Sequence, residues 1–428
     1  MKIFILLLLL TILLFPKIQA QRDANSIIAK LLSGNDMFEL EEQYLKHKAD
    51  LIPMMDYLSR SLLYNAFNQP QHASNTLDTL IRVYNNELGF NSVCNLILLR
   101  AEALANNLQY PESIQLLQSF QSQHIDSISE EIKEKIKSSV EFKKALMNQP
   151  LPELIRPSAD CIIDFTTEQI GRGTLMFVPC KVNGKKAKMI FDTGCSTFNF
   201  SSESFAKEHG FRMVMDSLMI SGVGSGMGWL GIADSISIGE IIYKNALFIV
   251  APESPSDTVY KVDAVLGNGF LKTIGEIQIM PEEMKIIFPV TFTKFTGNTH
   301  NMMVQNGQSY LNITYKKQRL LMHFDTGNVS SDLYKPFYNK HKKWVEHKGK
   351  KDTIKVGGFG DIKVQNTYQL SKIKLSLSNI RFSLKNIHVN TDSSIDYQWI
   401  EDGSLGMSFI QQFKKVTISY HSMRVDVK

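Results

Sequence analysis

One stretch of this chain occurs twice in its second half. Residues 190–194 (IFDTG) return as residues 323–327 (HFDTG), with an offset of 325 − 192 = 133. The residues that lead into them, 177–191 and 310–324, align without a gap at the same offset. A repeat of this kind predicts two lobes of one fold, related by an approximate two-fold axis. Such an axis would bring the Asp of each copy together.

A second block repeats further along the chain. Residues 266–288 match residues 405–427 at their apolar positions, with an offset of 405 − 266 = 139. Each block opens with a Leu-Gly pair, whose Gly lies 267 − 192 = 75 residues past the Asp in the first copy and 406 − 325 = 81 in the second. One Asp-Thr-Gly arises easily by chance in a chain of 428 residues, but two in matched contexts do not.

The first part of the chain has a different sequence pattern. Between residues 21 and 148 apolar side chains recur at steps of three and four and glycine is scarce, which predicts amphipathic helices. Residues 62–80 and 98–117 resemble tetratricopeptide-type helical hairpins, and a plain helical bundle remains open beside that interpretation. From about residue 161, short alternating runs punctuated by Gly, Asn and Ser predict strands. They include a hairpin over residues 175–191.

These patterns predict a multidomain α plus β protein, in which an N-terminal α-helical domain precedes a mostly-β bilobed unit with pseudo-two-fold symmetry. Prolines at positions 150, 152 and 157 mark the linker between them. The predicted segments are a signal peptide over residues 1–20, a helical domain over 21–150, a first lobe over 160–292 and a second lobe over 300–428.

The N-terminus has the three parts of an export signal. Lys2 supplies the positive charge, residues 3–15 form an apolar run, and residues 16–20 end in Ile-Gln-Ala, a small-residue cleavage site. An uncleaved membrane anchor is the alternative. We expect the mature chain to begin near Gln21, to be periplasmic or secreted, and to have no membrane span after cleavage, because no other stretch is long and apolar enough.

The charge and the cysteine content argue against some classes of function. The formal net charge is +5, and Lys and Arg are scattered, so the sequence does not predict a nucleic-acid surface. The four Cys residues lack metal-ligand spacing, and we expect neither a metal nor a cofactor. Export permits disulfides, and Cys161 and Cys180 are close enough in sequence to pair, but the sequence does not decide whether they do.

The duplicated motifs resemble those of the aspartic peptidases of the pepsin and retroviral-protease superfamily, over about residues 161–428. Each lobe of such enzymes carries an apolar-apolar-Asp-Thr-Gly loop and a later apolar-apolar-Gly segment that packs beneath it. The lobes here are closer in length to a retroviral-type subunit, so the chain resembles two tandem retropepsin-like lobes in an acid-protease fold. His323 and Ser404 depart from the apolar pattern, and the second lobe is therefore the weaker match.

The resemblance implies roles for particular residues. Asp192 and Asp325 are the expected catalytic pair: two carboxyl groups about 3 Å apart share one proton, so one can act as base and the other as acid. The sequence does not assign which is which. The residues implied to support the catalytic loops are Thr193, Gly194, Thr326 and Gly327, and those implied in substrate-binding flaps are Gly222, Gly224, Gly226, Gly357 and Gly358.

The residue after Asp-Thr-Gly departs from the family pattern in both lobes. Cys195 and Asn328 stand where Ser, Thr or Ala is usual. Loss of a hydroxyl donor should raise the pKa of the neighbouring carboxyl, so we expect an activity optimum nearer neutral pH. We interpret Cys195 as a small core thiol rather than a nucleophile, because no His stands in a recognisable partnering motif.

Three functions remain open at the level of sequence. The first is an aspartic endopeptidase that hydrolyses extended peptides with a water activated by the carboxylate pair. The second is a catalytically inactive peptide-binding or scaffold protein on the same fold. The departures from the family pattern at Cys195 and Asn328 favour this alternative. In the third, the helical domain docks a protein partner and the β unit is subordinate. The glycosylation sequon at Asn328 adjoins the proposed catalytic loop, which favours a bacterial exported protein.

Overall fold

The computed structural model describes residues 19–32, 34, 36–196, 198–253, 263–297, 299–392 and 401–428. The predicted signal peptide, residues 1–20, lies almost wholly outside the described residues. The chain forms two compact units, Met1–Gln149 and Pro150–Lys428. In the described ranges, no helix combines the length and the apolar character that a bilayer span requires.

The first unit is helical, as the periodicity predicts. Its helices are α1 (19–32), α2 (Met37–His47), α3 (Pro53–Ala66), α4 (Pro70–Leu88), α5 (Phe90–Asn106), α6 (Tyr110–Gln123) and α7 (Glu130–Met147). Pro stands in the first turn of α3, α4 and α6, where its missing N–H leaves no hydrogen bond unmade. Both segments predicted as helical hairpins are helix–turn–helix pairs, α3–α4 and α5–α6. Whether they form a repeat of the tetratricopeptide type stays a prediction.

The second unit is mostly β, and its first lobe carries the hairpin predicted over residues 175–191. Its strands are β1 (Glu153–Ile155), β2 (Cys161–Asp164), β3 (Thr166–Ile170), β4 (Gly173–Val182), β5 (Lys185–Phe191), β6 (Asn199–Ser202), β7 (Arg212–Ser221), β8 (Ser225–Ile238), β9 (Ile241–Ala251), β10 (Ala264–Leu266), β11 (Glu276–Met280) and β12 (Lys285–Phe288). Among the described residues of this lobe, the short α-helices are α8 (Glu203–Glu208) and α9 (Asn268–Ile274).

The second lobe repeats this succession. Its strands are β13 (Met302–Gln305), β14 (Gln308–Tyr315), β15 (Gln318–Phe324), β16 (Asp332–Leu333), β17 (Lys350–Gly358), β18 (Asp361–Leu377), β19 (Ile380–Asn390), β20 (Gly403–Leu405), β21 (Val416–Ser419) and β22 (Arg424–Val427). Its helices are α10 (Lys335–Lys348) and α11 (Met407–Ile410).

The two lobes have the same strand order. The order β4-β5-β10-β6-β9 of the first lobe recurs as β14-β15-β20-β16-β19 in the second. In each lobe the long hairpin strand, β8 or β18, pairs with both ends of that series and closes the sheet on itself. The expected fold class, a helical region followed by a bilobed acid-protease fold, is confirmed.

A separate sheet joins the lobes and locates the symmetry axis. Its strand order is β2-β12-β11-β21-β22, so β11 of the first lobe pairs with β21 of the second. In that ladder Ile277 faces Ile418, Gln278 faces Thr417, and Ile279 faces Val416. Gln278 and Thr417 are themselves equivalent in the sequence repeat, because 417 − 278 = 139. The approximate two-fold axis therefore passes between these two residues.

The Leu-Gly segments pack beneath the loops that follow β5 and β15. A Cβ on Gly267 would overlap the carbonyl oxygen of Phe198, and one on Gly406 would overlap the carbonyl oxygens of Ser330 and Asn328. Only a residue without a side chain allows this approach of two backbones. All four Cys residues of the chain are free thiols, so Cys161 and Cys180 do not form the disulfide that the sequence leaves open.

Replacing Gly406 with Ala should destabilise the second unit by about 3 kcal/mol, because the added methyl group meets backbone atoms that cannot move independently. Gly226→Ala is the control, since its Cβ would lie 3.5 Å from the nearest atom, Cζ of Phe359, which is an ordinary contact. All three Trp of the chain lie in this unit, so Trp fluorescence during urea unfolding measures it selectively. Equal midpoints for the two variants would contradict the packing described for Gly406.

Candidate active site

The two Asp-Thr-Gly loops begin where equivalent strands end. Asp192 follows β5 and Asp325 follows β15, and each of these strands pairs in parallel with the short strand before a Leu-Gly segment. The backbone N–H of Asp192 donates to the carbonyl oxygen of Leu266 at 3.1 Å, and that of Asp325 donates to Leu405 at 2.9 Å. Each carboxylate is thus attached to a closed sheet rather than to a free loop.

Four hydrogen bonds tie the loops together across the axis. The hydroxyl of Thr193 donates to the carbonyl oxygen of Phe324 at 2.8 Å and accepts from the N–H of Thr326 at 3.1 Å. The hydroxyl of Thr326 makes the reciprocal pair, donating to Phe191 at 2.8 Å and accepting from the N–H of Thr193 at 3.0 Å. Both Thr residues are fully buried. These bonds fix the spacing of the two loops from which the carboxylates project.

Each carboxylate lies against the glycine of the opposite loop. A Cβ on Gly194 would be 2.5 Å from Oδ1 of Asp325, and one on Gly327 would overlap the carboxyl group of Asp192. The N–H of Gly327 donates to Oδ1 of Asp192 at 3.0 Å, and the N–H of Gly194 donates to the same oxygen at 2.7 Å. The structure therefore brings Asp192 and Asp325 together with all four of the loop residues predicted to support them.

The proximity of the carboxyl groups changes their titration. Burial raises the pKa of Asp192 to about 7, and the negative charge of Asp325 contributes in the same direction. Burial also raises the pKa of Asp325, while its hydrogen bonds with Asp192 and with the N–H of Asn328 act in the opposite direction. Two close carboxyls with raised pKa values favour a state in which the pair holds one proton.

The unusual residues after Asp-Thr-Gly have different roles in the two lobes. Asn328 supplies its backbone N–H to Oδ1 of Asp325 at 3.1 Å, and its side-chain amide donates to Asp332 at 3.3 Å. Cys195 is half-buried, and its Sγ lies 3.5 Å from the carbonyl oxygen of Phe198. Burial raises the pKa of the Cys195 thiol, and the adjacent carboxylates add to this, so a nucleophilic thiolate is not favoured.

Both predicted flap segments are tips of β-hairpins. We call β7–β8, which turns at residues 222–224, the first flap, and β17–β18, which turns at 359–360, the second flap. The N–H of Gly224 donates to the carbonyl oxygen of Phe359 at 2.8 Å. A Cβ on Gly222 would be 3.0 Å from Cβ of Phe359, and one on Gly358 would be 2.5 Å from Cγ2 of Val223. The flap tips therefore touch each other, and their glycines permit the contact.

Phe359, at the tip of the second flap, reaches into the first lobe. Its ring lies 6.0 Å from that of Phe200 in an edge-to-face arrangement, beside Gly226 of the first flap. Phe200 in turn belongs to an apolar cluster that we call the apolar wall. Its buried members are Leu175, Phe177, Ile190 and Val265, with Ile170, Cys195, Phe200 and Val329 packed against them.

The family comparison agrees with this geometry. Residues 178–273 match the sequence model of a family described as gag-polyprotein putative aspartyl protease. The resemblance to retropepsin-like aspartic peptidases is confirmed. The match covers the first loop, the first flap and the first Leu-Gly segment. No curated protein sequence matches the chain.

Several solved structures are similar to the chain. The aspartic proteinase from Irpex lacteus is 13% identical over 62% of this chain and 96% of its own, with a TM-score of 0.39. Conglutin gamma, a basic 7S globulin from lupine seeds, is 10% identical over 62% and 94%, with a TM-score of 0.37. A retropepsin-like aspartic protease from Rickettsia conorii is 19% identical over 32% and 92%, with a TM-score of 0.22. Sequence identities and TM-scores as low as these do not assign a function to this chain.

Residues that connect the two lobes next to the site were not predicted from the sequence. Asn268 is fully buried, and its amide donates to the carbonyl oxygens of Thr193 at 3.1 Å and Gly307 at 2.8 Å while accepting from the hydroxyl of Tyr420 at 2.7 Å. It follows Gly267 directly, and a polar residue among the apolar positions of α9 was the available signal. Phe359 had the same kind of signal, as an aromatic residue among flap glycines.

Arg172 makes a further contact between the lobes. It lies in the β3–β4 turn of the first lobe, and its guanidinium group is 3.3 Å from Oδ1 of Asp332 and 2.5 Å from Nδ1 of His388 in the second lobe. His388 is also 3.1 Å from Asp352 through Nε2. Nothing in the repeat predicts this ion pair, because the residues have no counterparts of matching charge in the other copy.

Replacing Thr193 with Val should destabilise the second unit by about 2–4 kcal/mol, because the N–H of Thr326 and the carbonyl oxygen of Phe324 would both lose their buried partner. Thr193→Ser keeps the hydroxyl and is the matched control. Urea unfolding followed by Trp fluorescence measures the difference. If Val and Ser variants unfolded at the same urea concentration, the reciprocal hydrogen bonds would not be what holds the loops together.

Proposed function

We propose that this protein is an aspartic endopeptidase that hydrolyses peptide bonds with a water activated by Asp192 and Asp325. The observation that carries the proposal is the pair of half-buried carboxylates on loops tied by reciprocal hydrogen bonds of Thr193 and Thr326. A preorganised pair of acids with raised pKa values is suited to exchange protons with a reacting water and carbonyl.

The proposed reaction needs one proton on the carboxylate pair. The ionised Asp takes a proton from the water, whose oxygen adds to the scissile carbonyl carbon, while the protonated Asp gives its proton to the carbonyl oxygen. The tetrahedral intermediate then expels the amine, which takes up the proton that the first Asp accepted, and the C–N bond breaks. A hydroxyl proton of the intermediate returns to the second Asp as the carboxyl product forms, so the pair ends with one proton.

The flaps support an extended peptide as the substrate class. Two glycine-rich hairpins that meet at their tips could close over a bound chain, exclude water and offer backbone groups along its length. The tip contact through Phe359 also ties the second flap to the apolar wall, which includes Phe200 and Ile190. Ile190 stands two residues before Asp192. An unstructured polypeptide segment fits between such elements better than a folded surface does.

Replacing Asp192 with Asn should reduce the cleavage rate of an unstructured protein by about 10²–10⁴-fold or more, because the pair loses a proton-transferring group. Asp325→Asn should have a comparable effect. Asp234→Asn changes an exposed acid on β8 and is the matched control. Cleavage of unfolded casein between pH 3 and 8, followed by electrophoresis and mass spectrometry, measures this.

The inactive alternative predicts a different result from the same assay. If the wild-type protein did not cleave at any pH in that range, or if Asp192→Asn cleaved as fast, the peptidase proposal would be wrong. The departures at Cys195 and Asn328 would then favour a peptide-binding or scaffold protein. The N–H that Asn328 donates to Asp325 speaks against a disabled site, because it retains a hydrogen-bond donor at this carboxylate.

Replacing Phe359 with Ala should raise the KM for a peptide substrate about tenfold with a smaller change in kcat, because the closed flap loses its contact with Phe200. Phe359→Leu keeps apolar bulk at the tip and should lie close to wild type. Steady-state kinetics with a fluorogenic peptide checks both values. A lower KM in the Ala variant would mean instead that the ring obstructs the cleft.

Two broader predictions complete the proposal. Export to the periplasm or outside the cell rests on the N-terminal segment. A second sequon, Asn199-Phe200-Ser201, begins at an Asn whose side chain is fully buried and hydrogen-bonded to Gly267 and Leu247, which speaks against glycosylation there. A protein partner for the helical unit stays a prediction. That unit contains a cavity of about 470 Å³. It is lined mainly by polar residues, among them Gln71, Asn75, Arg100, Gln109 and Gln115.

A further inference from the structure

A buried histidine lies beside Asp325, at a position where the first lobe has an apolar residue. Nδ1 of His323 is 3.8 Å from Oδ2 of Asp325, and only 9% of the residue is exposed. Its counterpart beside Asp192 is Ile190, because 323 − 190 = 133. The two carboxylates therefore have chemically different neighbours although their loops are symmetric.

The difference extends to the strands on both sides. In the first lobe Ile190 pairs with Phe177 and Val265, all members of the apolar wall. In the second lobe His323 pairs with Tyr310 and Ser404, which are polar. Neighbours in such ladders place their side chains on one face of the sheet. We call the second set, together with Glu401, the polar wall.

A third carboxyl group belongs to the polar wall. Glu401 is 4% exposed, and its Oε1 accepts a hydrogen bond of 2.8 Å from the hydroxyl of Tyr310. The ring of Tyr310 lies 5.6 Å from that of His323. Burial raises the pKa of Glu401, and the positive charge that His323 can carry opposes the rise. The polar and titratable groups that act on His323 are Tyr310 from β14, Ser404 from β20, Glu401 before β20, and Asp192 and Asp325 from the loops.

The hydrogen-bonding state of His323 favours one tautomer. Its Nε2 is buried and has no hydrogen-bond partner within the described ranges. A buried N–H without an acceptor is less tolerable than a buried lone pair without a donor. The proton of a neutral imidazole therefore belongs on Nδ1, the ring nitrogen that is 3.8 Å from Oδ2 of Asp325.

We propose that His323 is a positioning residue that keeps Asp325 ionised, so that the proton shared by the pair resides on Asp192. The proposal rests on the peptidase function proposed for the pair and adds the assignment that symmetry leaves open. Asp325 is then the base that takes the proton of the water, and Asp192 is the acid that protonates the carbonyl oxygen.

The titration of the neighbouring groups agrees with this assignment. Burial raises the pKa of Asp192 to about 7, and the charge of Asp325 adds to the rise, although the N–H groups of Gly194 and Gly327 donate to Asp192 and oppose it. Burial also raises the pKa of Asp325, while the hydrogen bonds with Asp192 and the N–H of Asn328 oppose that rise. Burial lowers the pKa of His323, so near neutral pH the ring is uncharged and acts through its N–H dipole. An ionised Glu401 acts the other way, because its negative charge raises the pKa of Asp325.

Two substitutions should move the acid limb of the pH–rate profile in opposite directions. The acid limb reports protonation of Asp325, and the basic limb reports loss of the proton from Asp192. His323→Ile, which copies the first lobe, removes the N–H beside Asp325, raises its pKa and should move the acid limb up by about 0.5–1 pH unit. Glu401→Gln removes a negative charge and should move it down by a similar amount.

The controls separate this role from a structural one. His323→Gln keeps an N–H donor in a side chain of similar length and should restore an acid limb near that of wild type. Ile190→Val alters packing beside Asp192 without changing charge and should shift neither limb. The measurement is kcat/KM for a fluorogenic peptide at half-unit steps from pH 3 to 9, with circular dichroism to verify folding. Acid limbs that coincide for His323→Ile, Glu401→Gln and wild type, or that move in the same direction, would overturn the proposal.

A second readout is independent of turnover. In protein with ¹³C-labelled Asp carboxyl carbons, the signals of Asp192 and Asp325 are assigned by comparing Asp192→Asn and Asp325→Asn spectra. Titration should show Asp325 ionising at the lower pH, and His323→Ile should raise that transition. Ionisation of Asp192 first would refute the assignment. An absence of cleavage by wild type, with the expected titration, would refute the peptidase function alone.

Discussion

The reciprocal hydrogen bonds of Thr193 and Thr326 are the interaction on which the rest of the site depends. Each hydroxyl donates to a carbonyl oxygen just before the opposite Asp and accepts from the N–H of the opposite Thr. Holding two half-buried carboxylates close together opposes their ionisation, so their proximity must be maintained by neighbouring groups. The threonine bonds and the β11–β21 ladder on the same axis supply that constraint.

Symmetry places the carboxylates, but the chemistry proposed for them needs asymmetry, since one must be acid and the other base. A homodimer would have to break its symmetry on binding substrate. A single chain with two lobes can encode the difference, and here it lies beside the carboxylates, where Ile190 is matched by His323. The departure that makes the second lobe the weaker match to the family pattern is thus the feature that distinguishes the two acids.

Much of the fold could be predicted from the sequence, because the residues that define each lobe recur at a constant spacing. The strand before each Asp and the glycine beneath each loop recur at fixed offsets, so one lobe predicts the other. Contacts made only once had no such signal. Asn268 joins the lobes through partners that are distant in sequence, and Phe359 contacts Phe200 across the lobes. Part of the polar wall could be recognised in the sequence. His323 stands two residues before Asp325, and the two-residue period of a strand places both side chains on one face.

The decisive measurement is the distance between the carboxyl oxygens of Asp192 and Asp325 in a crystal structure of the protein. We expect the closest pair of oxygens to lie about 3 Å apart, a separation at which the two groups share one hydrogen. Carboxyl groups separated by more than about twice that distance, or directed into different lobes, would contradict it.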